Sequence, residues 1–99
     1  MDDETSAERL RALGHPVRLA ILRALAAQDR CCCSDVCRGL PLAQSTVSQH
    51  LKVLRDAGLV SFDRDGVRSR YVVNRDAFAA LRADLESLAA TLGAPAPAA

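Results

Sequence analysis

A mainly α fold carrying one β-hairpin wing, the winged helix-turn-helix, is what this 99-residue sequence predicts. Three features predict it. Apolar residues recur at helical spacing in segments on both sides of a tight turn, Leu40-Pro41-Leu42. Two strand-like runs then flank Asp65-Gly66, a pair suited to hairpin turns. A last leucine-bearing segment at helical spacing completes the order helix, helix, short helix, turn, long helix, hairpin, helix. Two helices across a tight turn, followed by a two-stranded ribbon, define the fold.

Each element has its own signals. Ser6 to Leu13 reads as a short helix, with Leu10 and Leu13 at i, i+3 and Gly14 as its stop. Pro16 suits a first helical position, where a missing N–H is no loss. Val17 to Gln28 follows, with Leu22, Leu25 and Ala26 as a buried stripe, Ile21 beside them, and Arg18 and Arg23 exposed. Ser34 is an N-cap for a short helix through Arg38, stopped by Gly39. The long helix runs from about Ala43 to Ala57 and ends at Gly58. The strands are Leu59–Arg64 and Val67–Asn74. Asp76 then caps a helix to about Leu92, closed by Gly93.

The length allows one domain, expected over residues 6–93, between a disordered acidic lead (1–5) and a disordered Ala/Pro tail (94–99). Hydrophobic residues make up 49% of the chain, enough for a globular core, yet the only aromatics are Phe62, Tyr71 and Phe78. Leu, Val, Ile and Ala must therefore build that core. A domain this small often recruits a second copy for stability. Net charge is only +1, but its distribution is uneven: −1 over residues 1–37, +4 over 38–75 and −2 over 76–99. A basic excess confined to the middle third is the footprint of nucleic-acid binding. No apolar run is long enough to span a bilayer, and Met1-Asp2-Asp3-Glu4 replaces a basic leader. A cytoplasmic protein without a membrane partner is expected.

On the long helix, Val47, Leu51 and Leu54 fall within a narrow stripe, with His50 on its flank. Gln44, Ser45, Ser48, Gln49, Lys52, Arg55 and Asp56 fall opposite. Glutamine can pair bidentately with adenine, Ser and Thr hydroxyls (Thr46 among them) serve bases or phosphates, and Lys and Arg neutralise backbone charge. An ordinary solvated face would carry more Glu–Lys pairs. The expected DNA contacts are Gln44, Ser45, Thr46, Ser48, Gln49, His50, Lys52 and Arg55. Arg64, Arg68 and Arg70 near the hairpin tip join them, reaching phosphates or a minor groove. Edge-strand protection by charge is the alternative use of those arginines. His15 and His50 are read as hydrogen-bonding groups rather than metal ligands, with a phosphate contact open to His50.

All four cysteines lie within seven residues, Cys31-Cys32-Cys33-Ser34-Asp35-Val36-Cys37, directly before this turn and long helix. Clustered thiolates hold soft ions or exchange electrons with one another. In a reducing cytosol metal binding or redox sensing is favoured over a structural disulfide, and adjacent cysteines make strained disulfides. A thiol oxidoreductase would want Cys-x-x-Cys near a βαβ unit, and the sequence has neither.

Phe78, Leu81, Leu85, Leu88 and Leu92 repeat at spacings of 3, 4, 3, 4 on the last helix. That seam is expected to form a homodimer, sharing the interface with Leu10 of the first helix. Covering the domain's own core is the competing use of the stripe.

The segments Ala12-Leu13-Gly14-His15-Pro16-Val17-Arg18-Leu19-Ala20-Ile21-Leu22 and Ser45-Thr46-Val47-Ser48-Gln49-His50-Leu51-Lys52-Val53-Leu54-Arg55-Asp56-Ala57-Gly58-Leu59-Val60 together resemble the ArsR/SmtB family of bacterial metal-responsive repressors. The resemblance covers roughly residues 6 to 92. It implies a homodimeric winged helix, not an enzyme, that holds double-stranded operator DNA until an inducer binds. Its arsenite-sensing branch carries Cys-x-Cys-Asp-Leu-Cys before the reading helix. Registered on Asp35, that motif places ligands at Cys32 and Cys37. Its middle cysteine falls on Ser34, with Cys33 as the neighbouring substitute, and Cys31 is an extra thiol. The zinc-sensing branch uses Asp, His and Glu on the last helix; Asp76, Asp84 and Glu86 are present without a histidine, so that site is not implied.

A trivalent arsenic or antimony centre is soft and takes three thiolates in a pyramid. Cys31, Cys32 and Cys33 cannot all point one way, so three sulfurs rather than four form the expected set. The expected inducer is trivalent arsenic or antimony. Cadmium, lead, or a thiol redox or persulfide signal are the alternatives.

Overall fold

The computed structural model describes residues 2–27, 38–65 and 68–93. In order these form α1 (Asp3–Leu13), α2 (Pro16–Ala26), α3 (Gln44–Asp56), β1 (Val60–Asp65), β2 (Arg68–Val73) and α4 (Arg75–Gly93). The strands pair antiparallel as a two-stranded sheet. This is the winged helix-turn-helix order expected from the sequence. Of the short helix expected at Ser34–Arg38, only Arg38 lies within the described residues. The Asp65-Gly66 turn is described only at Asp65, and the 94–99 tail lies outside the described residues.

The first helix begins at Asp3 rather than Ser6, so residues 3–5 of the expected disordered lead are helical. The cause is local: the Asp2 carboxylate accepts from the Thr5 N–H at 2.7 Å, and Asp3 and Glu4 sit at the positive end of the helix dipole. Gly14 ends α1 as expected, and Pro16 opens α2. His15 caps α2, its Nδ1 accepting from the Val17 N–H at 3.1 Å.

The core forms where α2 crosses α3 and the base of the hairpin. Ile21 and Leu25 from α2, Val47, Leu51 and Leu54 from α3, and Leu59 and Val60 behind them are buried. Leu22 joins them, but Ala26 is exposed: at the last residue of α2 the expected stripe has already turned to solvent. Leu40 and Leu42, in the turn before α3, pack against the same core.

At its far end α3 closes as a Schellman turn. The Leu59 N–H reaches the Leu54 carbonyl at 3.0 Å and the Gly58 N–H reaches Arg55 at 2.9 Å. Gly58 has φ +79°, and a Cβ there would lie 3.1 Å from the Arg9 guanidinium. Arg9 Nε also donates to the Ala57 carbonyl at 3.1 Å, pinning α1 to the end of α3. Asn74 Nδ2 donates to the Gly58 carbonyl at 3.0 Å, while its Oδ1 accepts from the Ala77 N–H at 3.2 Å. Asn74, rather than the expected Asp76, therefore caps α4. Its side chain spans the hairpin base and the helix start, which a carboxylate inside the first turn does not. Gly93 lies within α4 as its last residue.

Candidate nucleic-acid interface

Two faces of α3 divide the helix by chemistry. Val47, Leu51 and Leu54 are wholly buried. Gln44, Ser45, Ser48, Gln49, Lys52, Arg55 and Asp56 are exposed, and Thr46 and His50 are half-buried at the border. The face presents amides, hydroxyls and cations with a single acid at its end, the mix that hydrogen-bonds base edges and phosphates. Val53 alone interrupts it as a partly exposed apolar side chain.

The wing divides differently from its expected cluster of three arginines. In the register Phe62 opposes Tyr71, Arg64 opposes Ser69, Asp63 opposes Arg70 and Asp65 opposes Arg68. Side chains alternate along a strand, so Arg64 shares the face of Phe62 and Tyr71. Arg70 and Arg68 occupy register positions on the other face, each across from an aspartate. Arg64 is exposed and Arg70 half-buried. The aromatic underside was expected: Phe62 and Tyr71 meet edge to face at 5.2 Å, and Tyr71 is buried. Arg55 of α3 lies over the Phe62 ring at 5.3 Å, a cation–π contact joining reading helix and wing.

His50 is set by its neighbours. Its ring lies 4.7 Å from that of His15, and its Nδ1 accepts from Arg18 Nε at 3.2 Å. Burial, then the nearby His15 and Arg18 charges, hold its pKa below the ordinary 6.5. The ring is thus neutral at pH 7, and with Nδ1 accepting, its proton sits on Nε2 as a donor. Arg18 was expected to be exposed; it is half-buried and also reaches the Ala12 carbonyl at 3.4 Å. Sequence reading missed this tie of α1, α2 and α3, because a lone arginine on a helix carries no periodic signal.

The expected dimer residues separate into two groups. Leu81 is only 3% exposed and Phe78 packs against the core, so the chain itself covers them. Leu85 and Leu88 are 40% and 49% exposed, Leu92 is 73% exposed, and Leu10 of α1 is 37% exposed. A groove of about 410 Å³ between α1 and α4 brings Leu10, Leu85 and Leu88 together. Beside it the Ser6 hydroxyl hydrogen-bonds the Asp84 carboxylate and ties the two helices. Cys31, Cys32, Cys33 and Cys37 lie outside the described residues.

A family model described as a helix-turn-helix domain matches residues 13–61. The HTH-type transcriptional regulator YgaV of Escherichia coli (strain K12) is 35% identical over 85 residues, which cover 86% of this chain and 86% of that protein. The arsenical resistance operon repressor of Bacillus subtilis (strain 168) is 35% identical over 79 residues, covering 73% and 75%. Among solved structures, an ArsR-like transcriptional regulator from Rhodococcus sp. RHA1 superposes with a TM-score of 0.82 over 91% of this chain and 84% of that one. At 24% identity that likeness is one of fold.

Proposed function

The chain belongs to the ArsR/SmtB family of winged-helix transcriptional regulators, and from that premise we propose a metalloid-responsive repressor. It binds operator DNA as a homodimer and lets go when trivalent arsenic or antimony is held by cysteine thiolates. The observation that carries the DNA half of this reading is the polar face of α3, standing on a fully buried stripe. Gln44, Ser45, Ser48 and Gln49 meet base edges or phosphates, Lys52 and Arg55 neutralise backbone charge, and Thr46 and His50 donate at the border. Arg64, Arg68 and Arg70 place the wing against the flanking backbone.

The sensor half rests on donor chemistry. Cys32, Cys33 and Cys37 supply the three soft thiolates that a trivalent metalloid takes, with Cys31 the spare. The arsenical resistance repressor among the relatives supports that choice of inducer. Transmission to α3 has a physical route: Leu40 and Leu42, just after the cysteines, are anchored in the core that seats the reading helix. Drawing three sulfurs together displaces that short connection and with it the seat of α3. In a dimer the two reading helices must meet major grooves about 34–36 Å apart, so a small reorientation releases DNA.

Fluorescence anisotropy with the DNA upstream of the gene tests both halves. Reduced protein is expected to bind, and arsenite to release it. Cys32→Ser and Cys37→Ser should abolish the response while Cys31→Ser keeps it. Binding that persists unchanged with arsenite overturns the inducer; a response to cadmium, lead or persulfide alone reassigns the signal.

A further inference from the structure

A second groove lies on the other side of α4 from Leu10, Leu85 and Leu88, and shares no described lining residue with the groove that gathers them. It runs between α2 and the start of α4 as an open groove of about 580 Å³. Leu19, Leu22 and Phe78 form its apolar floor, and Arg23, Arg75 and Arg82 stand around it. Among the described residues no acid lines it. Arg82 already pairs with Glu86 at 2.9 Å. The guanidiniums of Arg23 and Arg75 have no hydrogen bond or ion pair among the described residues. Arg75 is also the first residue of α4, so the positive end of that helix dipole lies at the same rim.

We propose that this groove is a binding site for an amphipathic carboxylate, an apolar chain with one anionic head, of the medium-chain fatty-acid class. Its volume is that of an ordinary small-ligand site, and such sites join an apolar lining to a few convergent polar groups. The chain covers Leu19, Leu22 and Phe78 and gains by their removal from water. The head meets the Arg23 and Arg75 guanidiniums, whose planar donors match a carboxylate. Helix α2, one wall of the groove, packs on α3 with its other side, so one helix separates the site from the helix that bears the polar face. Its described lining holds no cysteine, and its failure leaves the metalloid reading untouched.

Isothermal titration of the full chain with decanoate, below the concentration at which it forms micelles, tests the site, with 1-decanol as the uncharged control. Decanoate should bind saturably, one per chain, and decanol about tenfold more weakly. Arg23→Ala with Arg75→Ala should bring decanoate down to the level of decanol, and Ala79→Trp, at an exposed lining position, should fill the groove and abolish both. Circular dichroism confirms that the variants fold, and the decanoate–decanol contrast in the unaltered chain is decisive without them. Equal affinity for the two probes, or no saturable binding, overturns the proposal. So does an arginine pair whose loss changes the sedimentation of the protein and not its ligand affinity, which makes the groove a contact between copies.

Discussion

Helices α3 and α4 carry apolar stripes of similar regularity, yet they end in opposite situations. In α3, Val47, Leu51 and Leu54 all disappear into the core, and Leu59 folds back beneath Leu54 to seal the end. In α4 burial stops early. Ala77 and Leu81 are covered, while Leu85, Leu88 and Leu92 are open. A stripe states which side of a helix is apolar; how much of it is covered depends on what lies opposite. Helix α3 is crossed by α2 and backed by α1 and the hairpin base. Among the described residues the second half of α4 has only the edge of α1. The difference leaves α3 held by its own domain with one polar face exposed. It leaves the C-terminal half of α4 with an open apolar face, the one the proposed homodimer would use.

The sharpest way to break this contrast is truncation on each stripe. Leu51→Ala should cost about 2–5 kcal/mol in urea unfolding, because a filled core cannot close over the void. Leu92→Ala should cost almost nothing. Comparable losses at both sites would refute the division. Next in size, Leu85→Glu with Leu88→Glu should turn a dimer into a monomer by sedimentation equilibrium while leaving the helical circular dichroism intact. A dimer that survives both charges must use another face.

On the polar side of α3, Gln49→Ala should weaken operator binding by about 1–3 kcal/mol at one base position, whereas Lys52→Ala should weaken all sequences alike and lower the salt slope by about 1. Gly58→Ala should destabilise by roughly 1–2 kcal/mol, since its positive φ strains any side chain and its Cβ would crowd Arg9. The smallest effect belongs to His50. Its pKa is lowered in the folded chain, so the unfolded chain takes up the proton first as pH falls through 6.5. Stability is therefore full above that pH and declines below it. Thermal melts should show a steeper loss as pH falls below about 6.5 in the natural chain than in His50→Gln.

The positions of the helices and the hairpin were legible because local chemistry dictates them. Pro16 can only open a helix, Gly58 suits the left-handed turn that closes α3, and the alternation around Phe62 and Tyr71 sets the ribbon. The start of α1 was misjudged because one side-chain bond, from Asp2 to the Thr5 N–H, decides whether three polar residues join the helix. The cap of α4 was placed two residues late for a similar reason: Asn74 is recognisable only once its amide is seen to serve Gly58 and Ala77 together.

By itself the sequence determined the winged-helix order, the polar face of α3 and the cluster of four thiols that precedes it in the chain, since each follows from residue type and spacing. Only the tertiary structure decided which leucines of α4 the core consumes, that Arg64 and Arg70 part company across the wing, and that Arg18 holds His50. Periodicity gives the direction of a side chain. The surface that meets it is supplied by residues distant in the chain, and only their packing says whether it is covered.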